Sequence, residues 1–175
     1  MKRNSTLYLA LSAAVLAATG AHAQIPSNAT AAAAGGVTTG DAPGYPVTLS
    51  QAGVEPIDEG PFHVHTPDYP PRAEPGIRNF VIPASQAFGT GHHATTAGCL
   101  AMLAHMKAQG SIVRNLADIG TGTGLLAFAA MHLWPSARAI ASDIDTVCAP
   151  VVLENAHSNG VAIGDGSGAL TMVVA

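Results

Sequence analysis

The residues best suited to chemistry lie in one run, Leu116-Ala117-Asp118-Ile119-Gly120-Thr121-Gly122-Thr123-Gly124, and in one later carboxylate, Asp143. Alternating glycines make a turn that a ligand can approach at backbone distance. A helix starting there presents free N–H groups. Those groups suit a phosphate or a ligand carboxylate, and two details favour the carboxylate. The spacing is G-x-G-x-G rather than G-x-G-x-x-G, and no Lys-Ser/Thr pair follows it. Asp118, two positions before the first glycine, would repel a pyrophosphate but suits a cationic ligand such as a sulfonium amino acid. Asp143 follows Gly120 by 23 positions. At the end of the next strand a carboxylate can accept both hydroxyls of a ribose. A ribose, an amino-acid end and no necessary phosphate together describe S-adenosyl-L-methionine. The bland alternative is a glycine turn used only for packing.

Strands and helices must position these groups. The spacing predicts a helix over 95–109, with Leu100, Leu103 and Met106 on one face and Gly110 as its C-cap. Met102 and Met106 both read as core. A buried strand is expected over 112–119, a helix over 124–133 stopped by Pro135, and a second strand over 137–142. A third helix over 147–157, with Pro150 near its start, and a third strand over 169–174 follow. The fold class expected is α/β: half of a doubly wound, Rossmann-like sheet of three parallel strands ordered 3-2-1.

The 175 residues are 48% hydrophobic and only 10% charged, with a net charge of -4. An ordinary domain is about 25% charged. The balance argues against a basic nucleic-acid footprint, so no direct nucleic-acid partner is expected. No apolar run reaches the roughly 18 residues of a spanning helix. Residues 1–23 have a positive end (Lys2, Arg3), an apolar stretch from Leu7 to Ala18, and Ala21-His22-Ala23 before Gln24. That is the layout of a secretory signal peptide. Residues 24–45 read as a low-complexity linker, and residues 1–45 together are expected to pack little on the rest. Residues 46–85 are proline-rich, with short extended pieces at Val47–Leu49, Phe62–His65 and Asn79–Ile82. Residues 86–175 form the α/β domain.

A longer pattern is more specific. Asn79-Phe80-Val81-Ile82-Pro83 is followed by Gln86-Ala87-Phe88-Gly89-Thr90-Gly91-His92-His93-Ala94-Thr95-Thr96 and by Ala97-Gly98-Cys99-Leu100. With Asp118–Gly124, Asp143-Ile144-Asp145, Glu154-Asn155-Ala156 and Asn159-Gly160-Val161, it resembles the ribosomal protein L11 methyltransferase family. The resemblance implies a class I methyltransferase fold and S-adenosylmethionine as cofactor. It implies an N-methyltransferase that modifies lysine and N-terminal amines of a large-subunit ribosomal protein. Thr96, Gly120 and Asp143 match family positions that contact the cofactor, and Phe88, Gly89 and Gly91 would line the same crevice. Asp118, Gly122 and Gly124 belong to the same turn. No catalytic side chain is identified, because transfer rests on proximity, orientation and water exclusion. The family has a substrate-recognition domain where this chain has its leader, and it continues past the third strand. The chain is therefore expected to be a truncated member with an atypical N-terminus.

Other residues take plainer readings. His63 and His65 alternate on one strand face, but with His92 and His93 they lack a spaced Cys or carboxylate, so no metal site is expected. Cys99 and Cys148 read as small buried residues, and Trp134 as helix-end packing. A cytoplasmic location is expected for a protein that uses this cofactor and this substrate. Export to the periplasm is the alternative if the leader is a true signal peptide. A methyltransferase for another substrate and a non-catalytic exported remnant are the competing functions.

Overall fold

The computed structural model describes residues 10–11, 55–83 and 94–174. The expected strand at Val47–Leu49 and the 84–93 segment, with Phe88, Gly89, Gly91, His92 and His93, lie outside the described residues.

The described elements are β1 (Ala10–Leu11), β2 (Ile57–Glu59), β3 (Phe62–His65), β4 (Arg78–Val81), α1 (Ala94–Ala108), β5 (Asn115–Ile119), α2 (Leu125–Leu133), β6 (Arg138–Asp143), α3 (Cys148–Ser158) and β7 (Leu170–Val174). The α/β reading of the sequence thus holds: β5, β6 and β7 pair in parallel, with helices between them. The sheet runs β1-β5-β6-β7, so it has four strands rather than three. The added member is β1, two leader residues paired in parallel with Ala117 and Asp118. The expectation that residues 1–45 pack little on the rest is thus corrected at Ala10–Leu11, where two backbone residues join the sheet edge and alternation over so short a stretch carries no signal.

Direct pairing in a parallel sheet puts paired side chains on one face. Leu116, Ala139 and Leu170 form one such row, and all three are buried. The neighbouring row of Ala117, Ile140 and Thr171 lies on the other face, where Ile140 is 41% exposed. One face is therefore packed and the other partly open.

The proline-rich segment forms a second sheet, β2-β3-β4, antiparallel and then parallel. Phe62, Phe80 and Ile82 from this part share one core with Leu100 and Leu103 of α1 and Phe128 of α2. The β2–β3 turn holds Gly60 at positive φ, 56°, where a Cβ would lie 3.2 Å from that of Ala104 on α1. A side chain there would strain the backbone and crowd the helix.

Two details of the helices bear on the sequence reading. Met102 is 56% exposed rather than part of the core. The buried face of α1 is Cys99, Leu100 and Leu103, with Met106 half-buried beside it, and Met102 falls about 100° per residue out of that phase. Trp134 is buried as expected, and its indole N–H donates to the carbonyl of Ser111 at 2.8 Å. Among the described residues, no helix is long and apolar enough to cross a membrane.

Candidate cofactor-binding turn

The glycine run forms the link from β5 to α2, at the carboxyl ends of the sheet strands. Gly120, Gly122 and Gly124 have φ of 72°, 56° and 87°. Each thus occupies the left-handed region that a side chain would strain. Their roles differ. A Cβ on Gly124 would lie 2.6 Å from the Phe128 ring, so this glycine lets the turn press onto α2. A Cβ on Gly120 would meet nothing within 4 Å. The turn is open to a ligand on that side.

Asp118 lies under the turn, 1% exposed, between β5 and α2. Its Oδ2 accepts the Thr121 hydroxyl at 2.8 Å and the Ala127 N–H at 3.2 Å. Gly124, the N-cap of α2, has no side chain to satisfy the first turn of that helix. The Asp118 carboxylate supplies this acceptor from the neighbouring strand. Burial pushes its pKa up to about 6 against the pull of these two hydrogen bonds, and the Asp143 charge adds to the rise. Asp118 therefore organises the turn from below and has almost no surface of its own.

Asp143 ends β6 and is half-buried. Its Oδ2 accepts the Gly122 N–H at 2.9 Å, and its Oδ1 accepts the Asp145 N–H at 3.0 Å. Partial burial raises its pKa, but hydrogen bonds from Asp145, Gly122, Cys148 and Ile144 outweigh this and hold it below the ordinary value. Asp143 is thus an anion fixed beside the middle of the glycine turn. It can accept hydroxyls while it holds the turn.

The turn has further supports. The carbonyl of Ser142 accepts the N–H groups of both Gly120 and Thr121, at 2.8 and 3.0 Å. The Asn155 amide donates to the carbonyl of Thr123 at 2.9 Å. Cys148, buried at the start of α3, donates its thiol to Asp143. Burial, that hydrogen bond and the charges of Asp143 and Asp145 push its pKa up to about 11. The thiol is an inert partner rather than a nucleophile. Sequence reasoning missed Asn155 and Cys148 as supports. The available signal was a polar Asn on the face of α3 that also carries Cys148, Val152 and Ala156, all buried.

The structure therefore brings Asp118, Gly120, Gly122, Gly124 and Asp143 into one site. Thr96 stands in the first turn of α1, half-buried. His63 and His65 are buried elsewhere, their rings stacked at 5.1 Å between centroids. Both cysteines are free and buried, as the sequence suggested.

Comparison with known proteins bears on the same residues. The sequence profile of the family described as ribosomal protein L11 methyltransferase matches residues 68–167, more than half of the chain. The ribosomal protein L11 methyltransferase of Rhizobium meliloti (strain 1021) is 44% identical over 118 residues, which cover 67% of this chain and 40% of that protein. Its counterpart in Sinorhizobium fredii (strain NBRC 101917 / NGR234) is 45% identical over 118 residues, with the same coverage. That of Brucella suis (strain ATCC 23445 / NCTC 10510) is 43% identical over 116 residues, 66% of this chain and 40% of that protein. The chain spans about two fifths of the length of these curated relatives.

Proposed function

The chain belongs to the ribosomal protein L11 methyltransferase family, and from that premise we propose that it carries the S-adenosylmethionine-binding part of a protein N-methyltransferase. Its relatives are named for ribosomal protein L11, and in this reading the acceptors are lysine and N-terminal amines of that protein. The observation that carries this reading is the Asp143 carboxylate fixed 2.9 Å from the Gly122 N–H, beside a turn whose Gly120 leaves its outer side open. That arrangement fits a ligand with a ribose and an amino-acid end, held in the crevice beside a half doubly wound sheet.

When bound, S-adenosylmethionine supplies a methyl group on a sulfonium. Asp143 would hold the cofactor's ribose by accepting its hydroxyls. Gly120 and Gly122 would let the ligand reach the backbone at the start of α2, while Gly124 lets the turn press onto that helix and Asp118 holds the turn in place from below. By the family resemblance, Thr96 would contact the cofactor, and Phe88, Gly89 and Gly91 are the further residues that the resemblance assigns to its binding. Orientation of a neutral amine and exclusion of water account for the rest of the effect.

The cofactor and the ribosomal substrate are cytoplasmic, so this function implies a cytoplasmic domain. The test is calorimetric titration with S-adenosylmethionine, followed by transfer of labelled methyl groups to ribosomal protein L11. Binding with transfer supports the whole reading. Binding without transfer to that protein points to another acceptor. Failure to bind, with recovery of a periplasmic protein beginning at Gln24, would establish an exported, non-catalytic chain instead.

A further inference from the structure

A cavity of about 290 Å³ lies at the opposite end of the sheet from the glycine turn. Pro135 and Gly168, which precede β6 and β7, form part of its wall. A Cβ on Gly168 would lie 2.8 Å from the Pro135 carbonyl oxygen, so the wall closes only because this residue is glycine. Phe128, Met131 and Val161 give the cavity apolar sides, and Arg78 and His132 stand at it.

Arg78 is the unusual member. Its Nη2 donates to the carbonyl of Asn159 at the end of α3, and its guanidinium lies 5.1 Å from the centre of the Phe80 ring. Its Nε is buried and has no hydrogen-bond acceptor among the described residues. The ion pairs among the described residues join Asp58, His63, Arg72 and Glu74, and Arg78 takes part in none of them. A half-buried guanidinium with one donor unsatisfied and no carboxylate partner among the described residues is costly unless an anion completes it. The surroundings agree in sign. His132 has its pKa lowered by partial burial and then by the charges of Arg78 and Lys107.

We propose that this cavity is a binding site for a small organic carboxylate with an apolar body. The carboxylate pairs with Arg78, and the hydrocarbon part lies against Phe128, Met131 and Val161. A neutral His132 is placed to donate one further hydrogen bond. A phosphate dianion suits the site less well, because half the wall is apolar and only one guanidinium is present. A second cavity, of about 300 Å³, also touches Arg78 and is lined by His65, Pro71, Asn79, Val81, Ser158 and Asn159, outside the reach of Val161. It is the competing location.

The test uses the full 175-residue chain, with phenylacetate as probe and phenylacetamide as its uncharged counterpart. Calorimetry is expected to show saturable phenylacetate binding and at least about tenfold weaker phenylacetamide binding. Val161→Phe, which fills the proposed cavity without touching the cation, should remove phenylacetate binding. The His132 ring, followed by NMR, should titrate at higher pH in the complex, because the ligand carboxylate offsets the nearby cations. Arg78→Gln should weaken binding to the same degree as loss of the ligand charge. If that variant unfolds for want of its bond to Asn159, the other three measurements decide. Equal affinity for the amide, unchanged binding in Val161→Phe, an unmoved His132 titration or no saturation at millimolar phenylacetate would each overturn the assignment.

Discussion

Asp118→Asn should stabilise this protein at neutral pH, although it removes a carboxylate that makes two hydrogen bonds. Asp118 is 1% exposed, and burial raises its pKa from 3.8 to about 6. An acid whose folded pKa is raised supports the fold fully only below its unfolded pKa. That support is lost as pH rises through the folded pKa. At about 1.4 kcal/mol per pKa unit, ionising Asp118 costs the fold about 3 kcal/mol by neutral pH. Roughly 1 kcal/mol of that is already lost near pH 4.5, which leaves about 2 kcal/mol to be lost between there and about pH 7.5. Asparagine keeps the acceptor. Its carbonyl oxygen can take both the Thr121 hydroxyl and the Ala127 N–H that Oδ2 accepts now. Urea denaturation of parent and variant at both pH values is the assay. His132, Asp58 and Glu74, whose pKa values are lowered, give the parent slopes of the opposite sign. The measured quantity is therefore the difference between the two proteins, in which those groups cancel. It should grow by about 2 kcal/mol in favour of the Asp118→Asn variant between the two pH values. A difference that does not change with pH, or a variant less stable at the higher pH, would refute the burial argument.

Asp143→Asn should weaken S-adenosylmethionine binding at least about tenfold by calorimetry, since hydrogen bonds to a charged group contribute roughly 1.5–3 kcal/mol each. Asp143→Ala should in addition raise amide exchange at Gly122, because the carboxylate also holds that N–H. Gly124→Ala should destabilise the fold by about 2 kcal/mol or more in urea, combining left-handed strain with a Cβ 2.6 Å from the Phe128 ring. Asn159→Ala should cost about 2 kcal/mol by the same measurement. The Asn159 side chain both accepts the Val81 N–H and donates to the Val81 carbonyl, and it is buried.

The α/β part was legible because its signals are local and repeated. Apolar runs end in glycine or proline, and the expected strand over 137–142 is found at Arg138–Asp143. The glycine turn was legible for the same reason, since alternate glycines have few other uses. What the sequence hid was the direction of side chains. Asp118 and Asp143 are two carboxylates on one motif, yet one faces down into the core and the other sits beside the turn. The parity of β5 decides this, because Asp118 shares the buried face of Leu116. The exposure of Met102 was hidden likewise, since spacing of four from Met106 suggests a shared face that Leu100 and Leu103 already define. β2 was missed because Ile57–Glu59 is three residues long and only one of them is apolar.

The two carboxylates also explain why the turn can be rigid before any ligand arrives. A glycine-rich loop is entropically costly to order, and this one has no side chain of its own at Gly120, Gly122 or Gly124 to hold it. The fixing comes from four neighbours: Asp118 from below, the Ser142 carbonyl and the Asp143 carboxylate from β6, and the Asn155 amide from α3. Together they hold Gly120, Thr121, Gly122 and Thr123, so all glycine positions stay free of side chains while the backbone stays in one conformation. A site fixed in this way does not have to be ordered by its ligand. The same arrangement places a cost on the fold, because Asp118 must be buried to reach both Thr121 and Ala127. That cost appears as its raised pKa, so the pH dependence of stability and the order of the binding turn have a single physical origin.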